Sequence, residues 1–134
     1  MTQPNELRIG NLVKLKNRIS GYSEFVYLLS VGNNYIDISI SMTQSPHLNG
    51  VPTQVLFNNI DPIPLTEEWL MKAGFVQSYN DYIKENLTAE NEYCESGEWN
   101  IYYKGALFEV IIKSVHQLQN LYFALTGQEL NIEI

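Results

Sequence analysis

The chain has 134 residues, 45% of them hydrophobic, with 8 basic and 15 acidic side chains and a formal net charge of −7. That length fits one domain, and a field of that sign disfavours bulk attraction to phosphate backbones and acidic membranes. A single cysteine, Cys94, excludes an intrachain disulfide and argues against a stapled secreted scaffold.

No segment approaches the ~18 apolar residues of a membrane span, and "MTQPNELRIG" lacks the pattern of a signal peptide. "NLT" at Asn86 matches a glycosylation sequon and is read as chance. A soluble, cytoplasmic protein is expected.

Residues 7 to 60 read as strands. In "LRIGNLVKLK", Val13 and Leu15 alternate with Lys14 and Lys16 after a break at Gly10-Asn11. "EFVYLLSV" and "YIDISISM" follow, the second alternating Ile36, Ile38 and Ile40 with Asp37, Ser39 and Ser41. "GNN" at 32–34 suits a hairpin, "SPHLNGVP" a loop and "TQVLFNNI" a further short strand.

Pro62 and Pro64 then interrupt regular structure before a predicted short helix over 66–73. Thr66 is its N-cap, Glu67 and Glu68 complement the macrodipole, Leu65 and Leu70 form a staple, and Gly74 stops it. Phe75 to Ile83 reads as one strand, and "KENLTAENEYCESGE" as an acidic loop. "WNIYYKGALFEVII" reads as a hairpin with Trp99, Ile101 and Tyr103 on one face and its turn near Lys104-Gly105.

"SVHQLQNLYFALTGQEL" is the most patterned stretch. Ser114 and Gln117 have capping-box spacing, Val115, Leu118, Leu121, Tyr122 and Leu125 form an apolar face, and Gly127 follows as a stop. The spacing predicts an amphipathic helix over 115–126 with His116 on its solvated side. "ELNIEI" reads as an edge strand.

The fold class is therefore α+β: an N-terminal antiparallel sheet, a short helix, a C-terminal hairpin and an amphipathic helix. It is expected as one domain over 1–134, with a β-rich part at 1–61 and a helix-hairpin-helix part at 62–134. "GNLVKLK" also resembles the opening strand of a small SH3-like barrel, which implies that the first sheet is barrel-like.

No catalytic, cofactor or metal motif emerges. His47, His116 and Cys94 lack ligand spacing, and Asp37, Asp61, Glu67 and Glu68 sit where strand polarity or a helix start explains them. The best enzyme reading would need Cys94 beside His116, without a flanking signature. An enzyme is not expected, and no cofactor is.

Arg8, Lys14, Lys16 and Arg18 are half of all basic residues, with Tyr22, Phe25 and Tyr27 nearby, so a nucleic-acid contact is the alternative function. The run from Glu85 to Glu98 reads as a solvated acidic loop. The leading expectation is a non-enzymatic protein that binds another protein or itself. Such a protein needs an exposed apolar patch on the order of several hundred Å² or a symmetric interface.

"NELRIGNLVKL", "IPLTEEWLMKAGF" and "VHQLQNLYFALTGQEL" resemble recurring blocks of a family of small proteins from phages, prophages and mobile elements of anaerobic gut bacteria. That family has no established activity, so no functional residue carries over. The resemblance implies a cytoplasmic accessory protein and adds no site.

Overall fold

The computed structural model describes residues 7–17, 24–32, 35–40, 53–91, 96–104 and 109–133. They form a mixed α+β structure, mostly strands in two antiparallel five-stranded sheets.

The first sheet contains β1 (Leu12–Leu15), β2 (Phe25–Val31), β3 (Tyr35–Ile40), β4 (Thr53–Leu56) and β5 (Ile60–Asp61) in the order β4-β3-β2-β1-β5. Period-2 alternation drives it. Val13, Leu15, Val26, Leu28, Ile36, Ile38, Val55 and Ile60 turn inward into one buried cluster. A bulge between Leu28 and Ser30 breaks the register with β3 and lets Val31 join the same side as Leu28. "TQVLFNNI" is not one strand: a 3-10 turn at Phe57–Asn59 intervenes, with Phe57 buried, before the chain pairs with β1 as β5. Among the described residues β4 and β5 are its edges, and no pairing joins one to the other.

Ile63, Pro64 and Leu65 cross to the second half. Pro64 bridges Ser114, the Leu65 amide donates to the Lys113 carbonyl, and the Val115 amide donates to the Ile63 carbonyl. Helix α1 (Glu67–Lys72) follows, with the Trp69 amide donating to Thr66 Oγ1 and both staple residues buried, and Gly74 ends it at φ 91°.

The second sheet contains β6 (Val76–Ser78), β7 (Asp81–Lys84), β8 (Leu87–Glu90), β9 (Trp99–Tyr103) and β10 (Glu109–Ile112), in order β10-β9-β8-β7-β6. Two expectations are corrected here. Phe75 to Ile83 is a hairpin, turned at Tyr79 with φ 58°, rather than one strand. The supposed acidic loop contains β8, whose Leu87 and Ala89 are buried; charged neighbours hid two inward positions. The "GNN" turn falls partly outside the described residues.

Helix α2 (Val115–Thr126) begins where the spacing placed it. The Gln117 amide donates to Ser114 Oγ, Gln117 Oε1 accepts from the Lys113 amide, and Gly127 follows at φ 72°. Its buried face is rotated from the predicted one. Leu121 and Leu125 are only partly covered, whereas His116 and Gln119 are 1% and 2% exposed. The solvated His116 of the sequence reading is thus corrected. The rotation lets Gln119 Oε1 accept from the Leu12 amide at 2.8 Å while its Nε2 donates to the Gly10 carbonyl at 3.1 Å. "ELNIEI" forms no strand over 129–133; Leu130 and Ile132 are buried, and the Glu133 amide donates to the Lys72 carbonyl.

The second buried cluster combines the inward face of sheet two, both helices and Leu12, with Phe25 and Tyr27 packed against it. The Phe25 and Trp69 rings meet edge to face with centroids 5.1 Å apart. Consequently β1 and β2 serve two cores, Val13 and Val26 on one side, Leu12, Phe25 and Tyr27 on the other.

Gln119→Leu should strip partners from a buried amide and a carbonyl and lower unfolding free energy by about 2–4 kcal/mol. Gln128→Ala, on the exposed side of the same region, should change it by less than about 0.5 kcal/mol. Urea titrations with unchanged slopes check both.

Candidate functional site

The helices cover the outward face of β1 and β2 and leave the outward face of β3 and β4. There Tyr35 and Leu56 are cross-strand partners, 49% and 45% exposed, and Gln54 lies on the same face. The 3-10 turn adds Asn58 and Asn59, and the chain beyond β1 adds Asn17. These residues, with Val55, line a shallow cleft of about 490 Å³.

Its wall is tied to the sheet through Asn59. The Asn59 carbonyl accepts from the Lys16 amide at 2.9 Å, and its side-chain oxygen accepts from the Asn17 amide at 3.1 Å. Its side chains are four carboxamides, one phenol and the Leu56 isobutyl group, the Val55 side chain being buried in the first core, and the lining carries no charge. Carboxamides both donate and accept, so the wall can match the hydrogen-bonding groups of an extended peptide while Tyr35 and Leu56 supply apolar contact.

Sequence reasoning passed over all seven lining residues. The available signals were the Asn58-Asn59 pair and the outward parity of Gln54 and Leu56, and neither marks a site without knowing which sheet face is left uncovered.

Of the predicted basic cluster, the described members Arg8, Lys14 and Lys16 each pair with a carboxylate. Arg8 forms a two-pronged ion pair with Glu129, donates through Nε to Asn120 Oδ1 at 3.2 Å, and lies 4.4 Å from the Phe123 ring centroid. Asn11 Nδ2 donates to the same Asn120 oxygen, and Asn11 Oδ1 accepts from the Arg8 amide. Lys14 pairs with Glu24 at 3.2 Å and Lys16 with Asp61 at 3.6 Å. Arg18 and Tyr22 lie outside the described residues, while Phe25 and Tyr27 face the second core.

His116 is held within the fold, its Nδ1 3.2 Å from Ser114 Oγ. Cys94 and His47 fall outside the described residues, so the Cys94–His116 pairing does too. Among the described residues no group of three or more His, Cys, Asp or Glu side chains could hold a metal ion, and no helix is long and apolar enough to cross a membrane. Asp37 accepts from Ser30 Oγ at 2.8 Å, and Glu67 and Glu68 occupy the first turn of α1.

No family model, curated protein or solved structure matches this chain.

The bond to Arg8 holds the Glu129 carboxyl below its usual range, against a smaller opposing effect of burial. A carboxyl whose folded value is depressed stabilises above its unfolded value and loses that contribution as pH falls through the folded one. The protein should therefore lose stability as pH drops below about 4.3, the ordinary glutamate value. Glu129→Gln should be less stable near neutrality and show a shallower acid decline, read by urea unfolding at several pH values.

Proposed function

We propose that this is a non-enzymatic protein-interaction module whose cleft at Tyr35, Gln54, Leu56 and Asn58 takes a largely uncharged extended segment of a partner protein. The observation carrying the reading is the uncharged, carboxamide-rich lining beside an exposed Tyr35–Leu56 pair. A phosphate-bearing ligand would call for cations, and the lining has none.

The same reading takes the first sheet as an SH3-like barrel. The order β4-β3-β2-β1-β5 and the 3-10 turn between its last two strands support this. It takes residues 1–134 as one domain, supported by the second core, to which both sheets contribute. An accessory role of the kind that the phage and mobile-element resemblance implies, in the cytoplasm, fits a module without chemistry of its own.

The runner-up, nucleic-acid binding by Arg8, Lys14, Lys16 and Arg18, has less support because the first three already face carboxylates.

Selection from a random-peptide display library tests the proposal. Enriched peptides should be poor in charge and bind with little salt dependence. Tyr35→Ser or Leu56→Ser should weaken them at least tenfold, about 1.4 kcal/mol. Equal enrichment on Leu56→Ser protein would sink it. A low-salt shift with single-stranded oligonucleotide, abolished by Lys14→Glu with Lys16→Glu, would establish the runner-up instead.

A further inference from the structure

The second sheet has one covered face and one open face. Tyr82, Leu87, Ala89, Trp99, Ile101 and Ile112 point into the core, so the register assigns the alternate positions to the outside. One outward row runs Val76, Ile83, Thr88, Tyr102, Glu109 across β6 to β10, because each is the cross-strand partner of the next. The next row contains Glu90, Asn100 and Ile111, with Asp81 on β7 beside it.

The face has apolar ends and a polar centre. Val76 is 69% exposed beside Ile83, Tyr79 in the adjoining turn is 95% exposed, and Ile111 lies exposed on the far strand. In the centre the Tyr102 hydroxyl donates to Glu90 Oε1 at 2.8 Å, and Asn100 Nδ2 donates to Glu109 Oε2 at 2.9 Å and to the Tyr102 oxygen at 3.1 Å. The donors of Tyr102 and Asn100 are thus directed within the network, and Asn100 Oδ1 accepts nothing among the described residues.

Within these strands the outward positions carry Asp81, Glu90 and Glu109 and no Lys or Arg. Lys84 has the opposite parity, with its Nζ 5.9 Å from the Tyr122 ring centroid, Lys113, beyond β10, pairs with Glu98 at 3.4 Å, and exposed Lys104 follows β9 at the outward parity, two residues past Tyr102. Stacking two such faces would set carboxylates against carboxylates, which disfavours a second copy as the occupant.

We propose that the open face of sheet two is a second interaction surface, for a partner segment with arginine or lysine side chains over Asp81, Glu90 and Glu109 and apolar side chains against Val76, Ile83 or Ile111. The cations would meet three carboxylates of opposite charge, and the apolar contacts would shield those pairs from water. Nothing in this surface depends on the cleft of sheet one.

A capped peptide of alternating leucine and arginine, titrated into the full chain and followed by amide NMR, is the test. Perturbations should concentrate on β6 to β10, and binding should weaken with salt. The combined Glu90→Gln and Glu109→Gln variant should weaken it about tenfold, and Val76→Ser should weaken it measurably without touching the hydrogen-bonded centre. Leu56→Ser should leave it unchanged, which separates this surface from the cleft. If the double variant does not fold, Asp81→Asn and Val76→Ser carry the test. Perturbations centred elsewhere, equal binding of the matching leucine–glutamate peptide, variants that bind like the parent, or a Val76-dependent dimer in sedimentation would each overturn the proposal.

Discussion

The two hydrogen bonds between the Gln119 side chain and the backbone at Gly10 and Leu12 fix how the two halves of this molecule meet. β1 is an interior strand, paired with β2 on one side and β5 on the other. An amide and a carbonyl at its entrance lie where α2 covers them, and a buried backbone group without a partner is costly. A carboxamide supplies both a donor and an acceptor from one side chain, so Gln119 can satisfy both while an aliphatic residue there satisfies neither. The requirement sets the roll of α2 and draws His116 inward. Asn11, Asn120, Arg8 and Glu129 continue the polar seam toward solvent.

That seam also decides which sheet faces remain uncovered. With α2 on β1, and Trp69 of α1 against Phe25 of β2, the outward half of sheet one nearest the helices is consumed by the second core. The β3–β4 half is left with Tyr35, Gln54 and Leu56. Sheet two has its inward face under the same helices, so its outward face is left as well. The cleft is lined without carboxylates or cations, although Asp37 lies across from Gln54 on the same sheet face, whereas the open face of sheet two carries three carboxylates. Salt should distinguish occupants of the two, since screening acts on the second and hardly on the first.

What could be read directly from the chain was local. Thr66 with Leu65, Leu70 and Gly74, and Ser114 with Gln117 and Gly127, define helix ends through chemistry confined to a few residues, and both helices lie where that chemistry put them. The alternation of Ile36 and Ile38 likewise located β3. Errors arose where a distant partner overrode local pattern. β8 presents only Leu87 and Ala89 inward, too short an alternation to stand out among acidic neighbours. Tyr79 turns the chain in a conformation unusual for a side-chain-bearing residue, so no glycine announced the hairpin. Arg8, Lys14 and Lys16 read as a basic cluster because the carboxylates they pair with, Glu129, Glu24 and Asp61, lie farther along the chain. The cleft was hidden for the same reason: its lining comes from three separate segments.

Exposed apolar residues beside sheet edges invite copies of a protein to pair, yet several features here oppose it. β6 is three residues long, which limits the ladder it can offer. A net charge of −7 keeps copies apart at long range, and the carboxylates of sheet two's open face act at contact distance. Repulsion between copies is independent of attraction toward an unlike surface. The same carboxylates that discourage self-association would favour a cationic partner, whose approach neutralises them and leaves Val76 and Ile83 available for close packing. If that face takes the proposed partner, its choice would follow from charge, with the apolar residues adding affinity only after a compatible charge has brought the surfaces together.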